Sequence, residues 1–486
     1  MAGIIALVVF FALMTGIGVW GMRRTKNLND FFLGGRNFGP WVSAAAYGTT
    51  YFSAVLFIGF AGKQGWGFGP AALWIAAGNA LIGAGAAWLV LGKRTRTMSK
   101  KLDAMTMPEF LQARYGAAYL KPLAALVIFI FLVPYSASVF KGLGHLFEAV
   151  FGIPYDLALL LMIGFTGLYL VLGGYFAIAV TDFIQAIVMV GGAAVMVAVL
   201  FGSKGGFVKT IVDSAAAYAQ HIPAAKQPSL LTIISVVFMT SFGPWGLPQM
   251  VQKFYAVKDE KVIPKAAIVT TIFAAVIGFS AYLTGMSTHV FFSPETLPKT
   301  AAGAVNFDAI IPTLLTTNLP EALMALILLL VLSASMSTLS SLVLVSSSAI
   351  SIDLYPGRPK PGEKDRSVLT LRLLSIVFVA VSYVISRYQF DIIVNLMSLS
   401  WGAVAGAFAA PYIYGLYWKR ATKAAAYAGL VAGLATEIAL YYVLGAANSP
   451  LAASIAIIVP FAVVPLVSLL TKAPEQKLLD TAFAAE

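Results

Sequence analysis

Tyr47-Gly48-Thr49-Thr50-Tyr51 interrupts the apolar run from Trp41 to Gly62, and Phe242-Gly243-Pro244-Trp245-Gly246-Leu247-Pro248 interrupts a second, from Leu230 to Val251. Glycine and proline weaken a helix, and in hydrocarbon every unpaired backbone amide or carbonyl costs several kcal/mol. A spanning helix is broken only where something replaces the lost partners, and a solute with a coupling ion at the midplane does so. Matching interrupted spans in the two halves of a chain point to the binding site of a secondary transporter.

The rest of the chain fits a membrane setting. Of 486 residues, 60% are hydrophobic and 11% charged, and the mean hydropathy is +0.87. This is the composition of a polytopic membrane protein with little mass outside the bilayer. No cysteine occurs, which excludes a disulfide framework and thiolate chemistry. Three histidines, His145, His221 and His289, are too scattered for a histidine metal cluster.

Thirteen apolar stretches of about 20 residues, the length that crosses roughly 30 Å of hydrocarbon, are expected. They cover 3–20, 41–61, 69–92, 120–149, 155–172, 176–201, 230–251, 264–286, 319–350, 369–386, 391–417, 422–444 and 451–471. The first is followed by Arg23, Arg24 and Lys26 and lacks a clean cleavage site, so it reads as a retained helix rather than a signal peptide. With the N-terminus outside, 25 of the lysines and arginines fall on the inner side and 7 on the outer side or within spans. That asymmetry obeys the positive-inside rule and places the C-terminus in the cytoplasm. It also explains the net charge of +12 without nucleic acid. The Pro/Gly-rich loop Tyr355–Arg366 is a linker, and 473–486 reads as a short cytoplasmic tail, leaving one membrane domain over 1–472.

Polar groups inside spans need a reason. Asp182, on the inner half of span six, reads as a cation ligand or gate residue, against the plainer alternative of a structural carboxylate. Span nine carries Ser333-Ala334-Ser335-Met336-Ser337-Thr338-Leu339-Ser340-Ser341. Its stripe of Ala334, Ser337, Thr338 and Ser341 offers hard oxygens suited to a small cation such as sodium, although small residues with hydroxyls bonded back to the helix also serve plain packing. Lys141 and Glu148 read as snorkelling groups near the outer end of span four. Asn79 and Glu437 read as interhelical hydrogen-bonding groups.

Several motifs then resemble the sodium:solute symporter family, which includes proline, pantothenate, sialic acid and sugar symporters. They are Asp30-Phe31-Phe32-Leu33-Gly34-Gly35-Arg36, the segment Gly173-Gly174 through Thr181-Asp182 and Gln185, and Ser333 to Thr338 through Asp353-Leu354-Tyr355. The resemblance implies an all-α, leucine-transporter-type fold. Two inverted five-helix repeats, about 41–201 and 230–417, would each begin with a discontinuous helix, with 3–20, 422–444 and 451–471 as additional helices.

The resemblance also implies site residues. The shared sodium site would use the carbonyls of Thr49, Phe52 and Ala334 and the hydroxyls of Ser337 and Thr338. Some members have a second sodium site, here Asp182, Ser337, Ser340 and Ser341. The solute would contact Ser53, Ala54, Gly59, Tyr135, Phe242, Trp245, Ser398 and Trp401. The stretch Thr49–Gly59 departs from proline symporters, which carry an aspartate at Tyr51 and a tryptophan at Val55, and looks more like pantothenate permeases. The implied activity is sodium-coupled import of a small solute bearing a carboxylate, by a monomer in the inner (plasma) membrane. The carboxylate is expected to dock on backbone amides freed at a broken helix. No organic cofactor and no enzymatic activity are expected. A proton-coupled carrier using Asp182 stands as the alternative, and a membrane sensor as a weaker one.

Overall fold

The computed structural model describes residues 2–24, 28–172, 175–354 and 367–483. Lys26, Gly173-Gly174 and the Tyr355–Arg366 loop lie outside them. The described chain is helical, with only two isolated β-bridges. Its periphery is apolar: Val8, Ile187, Ile268 and Leu469 are each more than 60% exposed, while the serine-rich helix Glu321–Ser351 is buried through its centre. A polar interior inside an apolar coat is the arrangement of a bundle solvated by lipid.

Ten helical runs among the described residues are long and apolar enough to cross a bilayer, or eleven with the bent pair Leu230–Gly246 and Pro248–Ala256. By that measure the expected thirteen are not reached, for three reasons. Span two is split, leaving Pro40–Tyr51 only 12 residues long. Its outer half and span three form one 47-residue run, Val55–Lys101, which turns back at Gly69 (φ 52°). The helix Tyr155–Leu172 enters that count only as far as Gly164, because residues beyond it include ones outside those whose side chains are described.

Both broken helices are present. The second breaks within the expected window, at extended Leu247 (φ −83°, ψ 121°), with an axis change of 48°. Pro248 causes this: it disfavours helical geometry at the residue before it and suits the first position of the helix that follows. The first breaks later than expected. Tyr47–Tyr51 is helical, and the chain becomes extended at Phe52 (φ −112°, ψ 132°) before helical geometry returns at Ala54. Neither glycine nor proline marks that point, so its cause lies in the helix that crosses it.

Two helices in outer connections were not anticipated, Phe207–His221 and Phe307–Asn318. Nor is the tail simply extended. Its helix Gln476–Phe483 folds back on Met107–Tyr115, with the Arg114 guanidinium 4.9 Å from the Phe483 ring centroid. Above the first break, Ala61–Phe68 crosses Val262–Ser287 with backbones touching. A Cβ on Gly65 would fall 2.4 Å from the Cα of Gly285, and one on Gly285 would fall 2.3 Å from the Ala61 carbonyl oxygen.

Candidate ion and solute site

The serine-rich helix supplies what the first break removes. The Ala54 N–H donates to Ser335 Oγ at 3.0 Å, and Ser335 Oγ donates in turn to the Val331 carbonyl at 2.7 Å. The Val55 N–H donates to Ser53 Oγ at 3.2 Å, and the Leu56 N–H to the Ser53 carbonyl at 3.0 Å. The amides of Ala54, Val55 and Leu56 are therefore satisfied from within the chain. This corrects the expectation that they wait for a solute carboxylate.

The carbonyls have the opposite balance. Around Thr338 Oγ1 lie the carbonyl oxygens of Thr50 (3.1 Å), Ala334 (3.1 Å), Thr49 (3.4 Å) and Phe52 (3.4 Å). Ser337 Oγ lies 2.7 Å from the Thr49 carbonyl and 3.1 Å from that of Ala334. All five oxygens named from the sequence thus converge at one point. Two hydroxyl protons serve four carbonyls there, each with two lone pairs. Every donor is neutral, and all the residues are buried. Such a surplus of acceptors suits a small hard cation. Among the described residues no group of three or more His, Cys, Asp or Glu side chains is placed to hold a metal.

Asp182 is buried, but it is not the unpaired acid expected. Lys253 Nζ lies 3.6 Å from its Oδ2, with both side chains fully buried. The lysine counted as an inner-side charge thus sits inside the bundle, carried there by Pro248–Ala256. It donates to Ser341 Oγ at 2.9 Å, and Ser341 is joined to Thr50 Oγ1 at 3.0 Å. Of the second expected sodium site, only Asp182 and Ser341 face a common point. Ser340 Oγ donates to the Ser337 carbonyl at 2.9 Å, and Ser337 Oγ faces Thr49.

Beside the first break a small cavity is lined by Tyr51, Phe52, Ser53, Asn79, Tyr135, Thr240, Tyr282, Met397 and Trp401. Three residues expected to contact the solute, Ser53, Tyr135 and Trp401, are in this lining. The others are placed elsewhere. Ala54 backs onto Gly142, and Gly59 packs against Ile393. Ser398 Oγ bonds to its own helix at Val394. Phe242 and Trp245 pack on each other at half-buried positions, and Trp245 Nε1 donates to the Ile82 carbonyl at 3.2 Å.

The sequence missed Tyr51, Thr240, Tyr282 and Met397. Tyr51 donates to the Thr240 carbonyl at 2.6 Å and stacks on Phe52 with centroids 4.5 Å apart. Tyr135 stands edge-on to Trp401 at 5.7 Å, and Trp401 Nε1 has no hydrogen-bond partner among the described residues. Asn79, read as an interhelical group, bonds Ser241 Oγ at 3.4 Å and opens a stretch of wide π turns, a feature frequent at functional sites.

Lys141 does not snorkel. It pairs with Asp308 at 2.8 Å and donates to the Asp391 carbonyl at 2.9 Å, while Lys63 donates to Asn395 Oδ1 at 3.1 Å. These bonds tie the outer helix Phe307–Asn318 to Leu120–Phe151 and Ile393–Tyr417. Glu148 is half-exposed beside His145. Glu437 is buried with no hydrogen-bond partner among the described residues, so it does not act as the expected interhelical link.

Comparison with known proteins gives a consistent result. The model of the sodium:solute symporter family matches residues 31–433. The high-affinity proline transporter of Bacillus subtilis is 31% identical, covering 96% of this chain and 97% of its own. A sodium/proline symporter of Staphylococcus aureus is 31% identical over 88% of this chain and 84% of its own. The solved structure of a Na+-coupled sialic acid symporter in a substrate-bound outward-open state superposes with a TM-score of 0.81. At 20% identity it covers 98% of this chain and 99% of that one, and shares its leucine-transporter-type fold.

Proposed function

This chain belongs to the sodium:solute symporter family and is a multi-pass, sodium-coupled carrier of a small organic solute, not an enzyme; from that premise we propose that it imports an amino acid with a compact apolar body, proline first, together with sodium held by Thr49, Phe52, Ala334, Ser337 and Thr338. The observation that carries the ion assignment is the surplus of neutral carbonyls over hydroxyl protons at the meeting of the first broken helix and the serine-rich helix. Sodium there adds to the hydrogen bonds that already join the two helices through Thr49, Thr50 and Ala54. It fixes the extended Phe52-Ser53 segment that also lines the cavity, and so shapes the solute site.

The solute assignment rests on the cavity. Its walls are aromatic, apolar and uncharged, with Ser53, Asn79, Thr240 and the free Trp401 Nε1–H as polar groups. A solute of permanent net charge has no charged partner in that lining, and at about 20 Å³ the cavity has to widen before a compact zwitterion enters it. Sodium at the neighbouring site supplies the positive charge that a carboxylate needs. The similarity to the proline transporter of Bacillus subtilis and the sodium/proline symporter of Staphylococcus aureus supports this reading. Tyr51 and Val55, which depart from the proline pattern, make pantothenate the second solute to test.

The working unit is a monomer in the plasma membrane with its N-terminus outside. One domain spans 1–472, with repeats at about 41–201 and 230–417. Transport proceeds by alternating access, driven by about 2.3 kcal/mol per sodium charge for each 100 mV. The test is uptake of labelled proline and pantothenate into proteoliposomes under an inward sodium gradient. Proline accumulation with sodium and none in choline is expected. Accumulation driven equally by a pH gradient in choline would overturn the sodium assignment.

A further inference from the structure

We infer that Lys253 is a tethered cation occupying the second cation position of the bundle, so that one sodium, not two, moves with each solute. This rests on the sodium-coupled reading above.

Three cation-attracting groups converge on Lys253 Nζ. The carboxylate of Asp182 lies 3.6 Å away, the hydroxyl of Ser341 2.9 Å away, and the centroid of the Tyr175 ring 5.0 Å away. Lys253 and Asp182 are fully buried. A buried carboxylate requires a compensating charge, and the ammonium supplies it from within the chain. Asp182 accepts no hydrogen bond from any described residue, which leaves the Lys253 ammonium, 3.6 Å away, as its compensating charge. With carboxylate and ammonium together the position is electrically neutral. Ser340 and Ser337 have turned their hydroxyls to backbone carbonyls and offer it nothing.

The placement also connects the two broken helices. Lys253 rides on the inner half of the second. Through Ser341 it reaches Thr50 on the first, one residue from a carbonyl of the neutral sodium site. A mobile ion at this position would leave on every cycle. A lysine remains, holding the two inner halves together while sodium departs.

The test is Lys253→Met, which keeps most of the apolar stem and removes the charge, read by sodium titration of both thermal stability and uptake. For the wild type, a Hill coefficient of one is expected, with one net charge moved per zwitterionic solute. A Hill coefficient cannot exceed the number of sites. In Lys253→Met the bare Asp182 recruits a second sodium, so the coefficient rises above one and sodium stabilises the detergent-solubilised protein more than it stabilises the wild type. Asp182→Asn in the same chain returns the coefficient to one, and Lys253→Arg keeps it at one. Two charges per solute in the wild type, a measurement that needs no variant, would overturn the inference while leaving sodium coupling intact. So would a Lys253→Met protein whose sodium response equals the wild type's. Wild-type stability and uptake indifferent to sodium would sink the sodium reading and this inference together.

Discussion

The Thr338 hydroxyl lies 3.4 Å from the Phe52 carbonyl oxygen, although 286 residues separate them in the chain. That contact joins the point where one helix stops to the centre of another that does not. It places the proposed cation position at the seam between them.

Removing the hydroxyls should weaken sodium binding without unfolding the protein. Ser337→Ala and Thr338→Ala each remove one oxygen of five. Each should raise the sodium concentration for half-maximal uptake by about tenfold, or ~1.4 kcal/mol. Uptake at graded sodium in proteoliposomes measures this, and an unchanged sodium dependence in the double variant would reject the site.

Ser335 and Ser333 make a matched pair for stability. Ser335→Ala strands the buried Ala54 N–H and should cost about 1–3 kcal/mol, the penalty for an unsatisfied buried donor. Ser333 Oγ has no partner among the described residues, so Ser333→Ala should be near neutral. Thermal melts of the purified variants would separate the two. Equal effects would show that the break is not held by Ser335.

The buried Lys141–Asp308 pair ties Phe307–Asn318 to Leu120–Phe151, and we expect it to hold the cavity closed. Asp308→Asn leaves the ammonium without its charge partner and should loosen that closure by about 3 kcal/mol. Because the chain has no cysteine, a single Ser53→Cys probe reports access directly. Maleimide labelling from outside should be faster in the Asp308→Asn background, and an unaltered rate would remove the pair from the gate.

Asp353, just past the inner end of the serine-rich helix, predicts a pH effect. Burial first, and then the nearby Glu109 carboxylate, hold its acid well above the ordinary range, against the opposing pull of Lys121 and Thr106. A raised acid keeps its proton in the folded state after the unfolded chain has lost it. Stability therefore falls as pH rises from the ordinary aspartate value, about 4, to the raised one, and levels off beyond. Asp353→Asn should flatten that slope in thermal melts across pH. A slope as steep as in the wild type would place its origin elsewhere.

What was legible in the sequence followed from local chemistry. Pro248 marks the second break because its ring acts on the residue beside it. The first break is not marked locally, since Ser335 and Thr338 stabilise it from the far half of the chain. Ala334, Ser337 and Thr338 stood out by resemblance, because their motif is contiguous in span nine, whereas Thr49 and Phe52 lie in span two. The cavity was not. Tyr51 and Tyr282 line it through packing that no spacing reveals, and Phe242 and Trp245 pack on each other outside that lining. Lys253 was assigned to the inner side because a lysine following an apolar run reads as a loop charge. Counting charges does not reveal that a new helix begins at Pro248 and carries the lysine inward.

The bare-backbone contact of Gly65 with Gly285 has a mechanical consequence. With no side chains between them to slide or compress, the outer half of the first broken helix and the helix Val262–Ser287 are welded into one rigid part. Flexure on that side of the molecule has to be taken up lower down, at Phe52-Ser53, so the carrier's elbow and its ion seat are the same few atoms.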